Sequence, residues 1–488
     1  MDTQILKEQI IKRMKFDNPW WVNGEIPSDY MTMKPRLYLE PFYPLVAERS
    51  INRGIILMGP RRVGKSVMLF HTIQRLINDG ADPQKIVYLS IDTPIYNNIS
   101  LEELFSYARE ALLKGDETSG FYVIYDEIQY LKDWEIHLKS LIDSYRNVRF
   151  VASGSAAAAL KMKSQESGAG RFTDFMLPPL TFNEYINLLG YDNLIVPTSI
   201  EWAGDKVELF NTIDIDTLNR HFLDYINYGG YPELVLLKQI QNNPSQFVKN
   251  DIVDKVLLRD LPSLYGIQDI QELNRLFVHI VYRCGCEFSW DSLTKGANIK
   301  KETLKKYLQY LEAAFLIKVV NKVDSSARRF QRVTSFKIYL TNPSLRCALF
   351  SPLTASDESL GNMVETAIFA QWLQRDNTEV YYANWQLGRG KSGEVDMVGL
   401  DMVKQKPNWA VEIKWSDRYA ENLGELSSLH HFMETNKLSE AIVTSIKQFG
   451  RKELDSVNLQ FIPSAIYAYI VGHNTINRRA NNCKNIGL

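Results

Sequence analysis

Cysteine is scarce, with four in 488 residues. That excludes a disulfide scaffold, and Cys284-Gly-Cys286 lacks a second cysteine pair at zinc spacing, so reduced structural thiols are expected and no metal follows from cysteine. Net charge is just as scarce. Lys and Arg number 56 against 57 Asp and Glu, so nucleic-acid contact would have to come from a local patch and not from the average. Long uninterrupted apolar runs are missing too. The longest late stretch without Asp, Glu, Lys or Arg, Ser456 to Asn477, is broken by Asn458, Gln460, Pro463, Gly472 and Asn474, which suits a buried strand and no membrane span. The first residues, MDTQILKEQI, have neither a basic n-region nor an apolar h-region, so a cytoplasmic protein without a membrane partner is expected. Gly (26) and Pro (18) are at ordinary levels, which argues against disorder or a fibre. At about 150 residues per domain the length predicts roughly three domains.

From Arg53 to Phe175 short apolar runs alternate with helical patterns: GIILMG, SVMLFHTIQRLI, KIVYLSI, LEELFSYAREALL, FYVIYD, WEIHLKSLIDSY and VRFVASG. This alternation predicts a parallel α/β sheet with helices on both faces. The first run ends in Gly59, Pro60, Arg61, Arg62, Val63, Gly64, Lys65 and Ser66, which fits the phosphate-loop spacing without mismatch. Glycines let successive N–H groups turn inward on phosphates, Lys65 adds a point charge, and the Ser66 hydroxyl can ligate magnesium. FYVIYDEI brings Asp126 and Glu127 to a strand's carboxyl end, where ligands of open α/β sheets bind. Asp126 would hold magnesium and Glu127 would polarise the attacking water. Ser153 and Ser155 close the next strand, VRFVASGS, as candidate sensors of the γ-phosphate. Arg171, in GAGRF after a Gly/Ser-rich loop, is a candidate arginine finger acting in cis or in trans.

NPWW at Asn18 to Trp21, GPRRVGKS, YDEIQYLKDW, ASGSAAAAL, GAGRFTDFMLPPLTFNEY and GGYPELV occur in one order. With these the chain resembles a large family of prokaryotic AAA-type P-loop ATPases with a carboxyl-terminal PD-(D/E)xK nuclease-like domain. The resemblance implies ATP as the nucleotide and matches Gly170-Arg171 to the family's Gly-Arg motif.

Past Pro178 the pattern turns helical and loses the strand alternation, with helices expected at Leu180 to Leu189, Leu218 to Tyr228 and Pro244 to Leu258, as in an ATPase lid. Three more, Ile270 to Cys284, Asp291 to Ala297 and Lys301 to Ala314, precede FLIKVVNKV and FKIYLTN, an order that resembles a winged helix with a two-stranded wing. Lys295, Lys300, Lys301, Lys305 and Lys306 stand against Glu302, and Lys318 to Arg346 hold seven basic residues, Arg328, Arg329, Arg332 and Lys337 among them, against Asp324 alone. Both stretches could face the phosphates of DNA or RNA.

From Gly361 the element order resembles that of PD-(D/E)xK nucleases. Glu365 on a helix, Asp396 in GEVDMV, and Glu412 and Lys414 in AVEIKW fill the expected positions. Carboxylates on neighbouring strands can gather magnesium, and Lys414 could orient the attacking water. By simple alternation Glu394 shares a face with Asp396, and only an intervening bulge would turn it away; the sequence assigns it no role. His430 and His431, adjacent on a helix, point about 100° apart and are excluded from the site.

The expected fold is therefore multidomain α/β: a segment at 1–50 packing on the ATPase, a P-loop parallel-sheet core at 51–178, a helical lid at 179–260, a winged helix at 261–345, a restriction-endonuclease-like α/β domain at 355–475 and a tail at 476–488. The expected function is ATP binding and hydrolysis with Mg2+, the nucleotide state controlling a nucleic-acid-associated module; an ATP-regulated magnesium nuclease and a non-enzymatic nucleotide switch are the alternatives. A trans-acting Arg171 would require a homo-oligomer.

Overall fold

The computed structural model describes the chain except residues 1–2, 116, 155–169, 203, 327–334, 373–374, 376–377, 388–390, 402 and 487–488. It divides into two compact units, residues 1–178 with 476–488, and residues 179–475.

The first unit is built on five parallel strands, β1 (Gly54–Met58), β2 (Ile86–Ser90), β3 (Tyr122–Asp126), β4 (Arg149–Gly154) and β5 (Phe172–Met176), in the order β2-β3-β4-β1-β5. The inner strands β1, β3 and β4 are buried along their whole length, which is why they read as unbroken apolar runs and not as alternation. Helix Lys65–Asn78 presses Met68, Leu69, Ile73 and Leu76 onto the sheet, a stripe at helical spacing. Because all five strands run the same way, Met58, Asp126 and Gly154 finish at one edge, while Gly54, Arg149 and Phe172 lie at the other. The outer strand β2 is covered by NPWW. The Asn18 amide donates to Tyr88 O at 2.9 Å and accepts from Tyr88 N at 2.7 Å, and the Trp20 and Trp21 indoles donate to Ile86 O at 2.9 and 2.7 Å.

In the second unit the stretch expected to be wholly helical contains an antiparallel hairpin, β6 (Ile195–Trp202) with β7 (Asp205–Thr212). Neither strand buries a full face, so the sequence shows no apolar run there. Helices at Phe182–Leu188, Ile215–Tyr228 and Ser245–Asp254 occupy the remainder.

Helices Ile270–Tyr282, Trp290–Ala297 and Lys301–Ala313 precede β9 (Ile317–Val323) and β10 (Ser335–Leu340), with β8 (Glu287–Ser289) between the first two helices. Here the expected division into a two-stranded wing and a separate downstream domain needs correction. β10 pairs with both β8 and β9, and β9 pairs in parallel with β11 (Val380–Leu387) at Lys322 and Val323. β12 (Lys391–Leu400), β13 (Pro407–Glu412), β14 (Glu440–Ser445), β15 (Gly450–Leu454) and β16 (Val457–Pro463) complete one nine-stranded sheet, β15-β16-β14-β13-β12-β11-β9-β10-β8. Pairing with β11 covers the Lys322 and Val323 end of an edge that β9 would otherwise expose. Val395, Val398, Phe432, Met433, Val443, Leu459 and Phe461 form the core of its larger half.

The late uncharged stretch is a strand only through Pro463. Helix Ser464–Ile486 follows, started by the Pro463–Ser464 break and by Ala465 and Ala468, both fully buried. The expected tail is thus the end of a helix, where the Arg479 guanidinium donates to Met176 O at 2.8 Å and lies over the Tyr38 ring. Among the described residues no helix is long and apolar enough to cross a membrane.

Candidate functional site: a phosphate loop and an acid–lysine cluster

The loop after β1 is shaped by glycine in two ways. A Cβ on Gly59 would run into the Leu177 carbonyl oxygen, and Gly64 adopts φ 90°, left-handed backbone that glycine takes without steric cost. Arg36, from the segment before the sheet, clamps this loop by donating to Val63 O at 2.6 Å and Pro178 O at 3.1 Å. The buried Lys65 ammonium donates to Pro60 O at 2.8 Å and Gly59 O at 3.2 Å, so it is held over the mouth of its own loop. Pro60, Arg61, Arg62 and Val63 supply the intervening backbone, with Arg62 at φ 64°.

The Ser66 hydroxyl donates to Asp126 Oδ2 at 2.7 Å. Asp126 is buried at the carboxyl end of β3, and the same oxygen accepts from the Tyr88 hydroxyl at 2.7 Å while Ser153 donates to the other. Burial and the Asp126 charge push the Tyr88 phenol well above its ordinary value, so it remains a donor. Glu127 follows at φ 53°; this strained conformation turns the chain out of the strand, and its carboxylate accepts from Gln129. Ser66, Asp126, Glu127 and Ser153 are therefore gathered at one sheet edge. Sequence reasoning missed Arg36 and Tyr88; the one available signal for Tyr88 was its place one pleat repeat before Ser90, in the strand beside Asp126.

Arg171 is elsewhere. Its carbonyl accepts from Gly54 N at 2.9 Å at the amino end of β5, and its guanidinium pairs with Asp143 at 2.5 Å, both side chains substantially exposed. Five paired residues at about 3.3 Å each separate that end from the phosphate loop, about 16 Å. A finger role in cis is out of its reach. Ser155 and the Gly/Ser-rich loop lie outside the described residues.

The second constellation is on the nine-stranded sheet. The Lys414 ammonium bridges Asp396 at 3.1 Å and Glu412 at 2.7 Å, and Asp396 also accepts from Ile413 N at 2.8 Å. Glu365, on the buried helix Leu360–Trp372, accepts from Lys337 at 3.0 Å and from the Tyr339 hydroxyl at 2.5 Å. Lys337 also pairs with Glu394 at 2.7 Å. The charge pattern of the sequence groups this lysine with residues facing nucleic-acid phosphates; instead it is buried, and β10 delivers it to these acids. Burial, then the Asp396 charge, pushes Glu412 up to about 7. Burial likewise raises Glu365 against the pull of Lys337. At Asp396 burial opposes the charge, but Lys414 and Lys337 outweigh it and hold the carboxyl below its ordinary value. Lys337 and Tyr339 complete a cluster of which the sequence offered Glu365, Asp396, Glu412 and Lys414, with Glu394 on the face of Asp396.

Among the described residues no group of three or more His, Cys, Asp or Glu stands together as a cage for a metal ion. Two carboxylates with water still suit magnesium, which rarely takes an all-protein cage. The buried Glu412 Oε2 has no hydrogen-bond partner among the described residues, so Asp396 and Glu412 fit such an ion. Glu365 is already engaged by Lys337 and Tyr339. His430 lies beside Asp455 at 3.3 Å and His431 against the Trp385 ring. Cys284, Cys286 and Cys347 are free thiols, and burial pushes Cys284 up to about 12.

Of the expected nucleic-acid surface, Lys295, Lys300, Lys301 and Lys306 are exposed, Lys305 pairs with Glu302 at 3.0 Å and Lys318 with Glu312 at 3.5 Å. Arg328, Arg329 and Arg332 lie outside the described residues.

Residues 219–357 match a family model described as a domain of unknown function, DUF8612. An uncharacterized protein of Haemophilus influenzae is 22% identical over 83% of this chain and 92% of its own, and one of Methanocaldococcus jannaschii is 23% identical over 84% and 82%. Among solved structures, the Walker-type ATPase PABY2304 of Pyrococcus abyssi is similar at 15% identity and a TM-score of 0.36, over 66% of this chain and 99% of that one. AMPPCP-bound DnaA from Aquifex aeolicus is similar at 11% identity and a TM-score of 0.27, over 56% and 85%. Residues 52–186, which hold the phosphate loop and the Ser66–Asp126 pair, match the family model described as AAA domain.

Proposed function

We propose that this protein binds ATP with magnesium and hydrolyses it. The observation that carries this reading is the Ser66 hydroxyl at 2.7 Å from Asp126, the two groups that would hold magnesium. When bound, magnesium would supply positive charge against that developing on the phosphoryl oxygens. Lys65, released from the Gly59 and Pro60 carbonyls, pairs with the phosphates; Glu127 orients and polarises the attacking water; Ser153 holds Asp126 and reports on the γ-phosphate. Arg171 serves the site of a neighbouring copy, which makes the active form a homo-oligomer. Titration calorimetry and turnover test the assignment: Lys65→Ala should lose nucleotide affinity, whereas Glu127→Gln should still bind ATP but turn it over about 100-fold more slowly. Parent-like ATP binding by Lys65→Ala would sink it.

The nucleotide state then controls a nucleic-acid-associated second unit, with the exposed lysines on and before helix Lys301–Ala313 meeting phosphates of DNA or RNA. The unpartnered Glu412 Oε2 favours a second reading, in which Asp396 and Glu412 hold magnesium and Lys414 orients water for phosphodiester cleavage. Magnesium-dependent cleavage of labelled DNA or RNA that persists in Asp396→Ala would reject it.

A further inference from the structure

We propose that Lys337 is a resident cation of the acid–lysine cluster: its ammonium takes the place of a second divalent ion and limits the site to one. This rests on the reading of Asp396 and Glu412 as a divalent-cation site. Lys337 pairs with Glu365 and Glu394, and Lys414 with Asp396 and Glu412; Glu394 and Asp396 stand two positions apart on β12, and the Asp396 charge acts on both ammonium groups, so four carboxylates share two lysines. The formal charge left over is −2, which one divalent ion balances.

The oxygens divide the cluster in the same way. On one side Glu412 Oε2 is buried without a hydrogen-bond partner among the described residues, so an oxygen stands ready for an ion beside Asp396. On the other side Glu365 Oε1 is shared by Lys337 and Tyr339, Glu394 Oε1 is taken by Lys337 and Glu394 Oε2 accepts from Asn384 at 2.9 Å. Two-metal sites set their ions about 3.5–4 Å apart, between carboxylates that reach both. Here the acids that would complete the second position are joined by a lysine at 3.0 and 2.7 Å. That lysine comes from β10, outside the segment that carries the acids. In the same part of the sheet the Tyr382 hydroxyl on β11 donates to Glu287 on β8 at 2.8 Å. Lys337 is buried, whereas the Glu394 side chain is 38% exposed, so the cluster opens to solvent at Glu394.

Bound Mn2+ would be counted by equilibrium dialysis and electron paramagnetic resonance on the nucleotide-free full chain. The parent should bind one ion that Asp396→Asn loses, and Lys337→Arg should match the parent. Lys337→Met should bind a second ion and hold the first about tenfold more tightly, because a like charge that acts on Asp396 is gone. Removing the ammonium strands two carboxylates and could cost the fold, so Lys337→Gln, whose amide can still donate to a carboxylate, is measured in parallel. This variant likewise carries no charge at the position and keeps all four acids, and it too should take up a second ion. A single ion of parent affinity in both variants overturns the proposal and leaves Lys337 a tether between strands. No ion in the parent, and hence no loss in Asp396→Asn, overturns the cation reading itself and the proposal with it.

Discussion

Arg171 shows what one side chain's position decides. At the amino end of β5 it is about 16 Å from the loop of its own chain, so any part it plays in hydrolysis is played on another copy. Its pair with Asp143 is exposed and holds it by at most about 1 kcal/mol, little enough to be exchanged for a phosphate oxygen. Arg171→Ala should bind ATP normally and turn it over about 10³-fold more slowly. Mixed with Lys65→Ala, which lacks the loop lysine but keeps Arg171, it should regain turnover, since each protein supplies what the other is missing. Unchanged turnover of Arg171→Ala at saturating ATP, or no recovery on mixing, would remove the finger role. Gly59 to Ser66, Asp126 and Glu127 were legible as a candidate site because a phosphate loop and two acids at a strand end are patterns of local spacing, and the fold brings Ser66 to Asp126. Arg36 and Lys337 were not, since each acts on groups distant in sequence, Arg36 on Pro178 and Lys337 on Glu365 and Glu394. A lone basic residue carries no mark of its partner.

At the scale of elements the alternation from Arg53 to Phe175 gave the five-stranded core because parallel strands buried on both faces must be apolar throughout. The hairpin β6–β7 escaped because half-exposed strands have no such requirement, and helix Ser464–Ile486 escaped because an uncharged stretch looks alike as buried strand or buried helix. NPWW was legible only as a likeness; the structure supplies its physics. An outer strand presents unpaired backbone groups, and here the Asn18 amide satisfies the N–H and C=O of Tyr88 as a neighbouring strand would. Asn18 is fully buried, so Asn18→Ala would strand both groups away from water. A loss of about 2–4 kcal/mol is expected, since each buried unsatisfied group costs about 1–3 kcal/mol. Denaturant unfolding followed by tryptophan fluorescence measures it, Trp20 and Trp21 being next to the lesion. A loss below about 0.5 kcal/mol would mean that Tyr88 finds another partner.

For the whole molecule, charge is the property that averages mislead about most. The totals nearly cancel, yet Lys295, Lys300, Lys301 and Lys306 are exposed within one short stretch of the second unit, while Lys337, of the same sign and nearby in sequence, is buried among carboxylates. Sequence gives the sign of a residue; only the fold says whether solvent, a phosphate or an acid receives it. If the four exposed lysines meet DNA phosphates, replacing them together with Gln should weaken binding and flatten the dependence of log affinity on log salt by about 0.9 for every phosphate no longer neutralised, because each neutralised phosphate releases condensed counterions. The measurement belongs at several salt concentrations, with and without ATP, in the Glu127→Gln background so that nucleotide is bound but not consumed. Control by the nucleotide requires ATP to change DNA affinity, and linkage then requires DNA to change ATP affinity by the same factor. Equal salt slopes for parent and quadruple variant would place the lysines against solvent alone, and equal DNA affinities with and without ATP would separate the two activities.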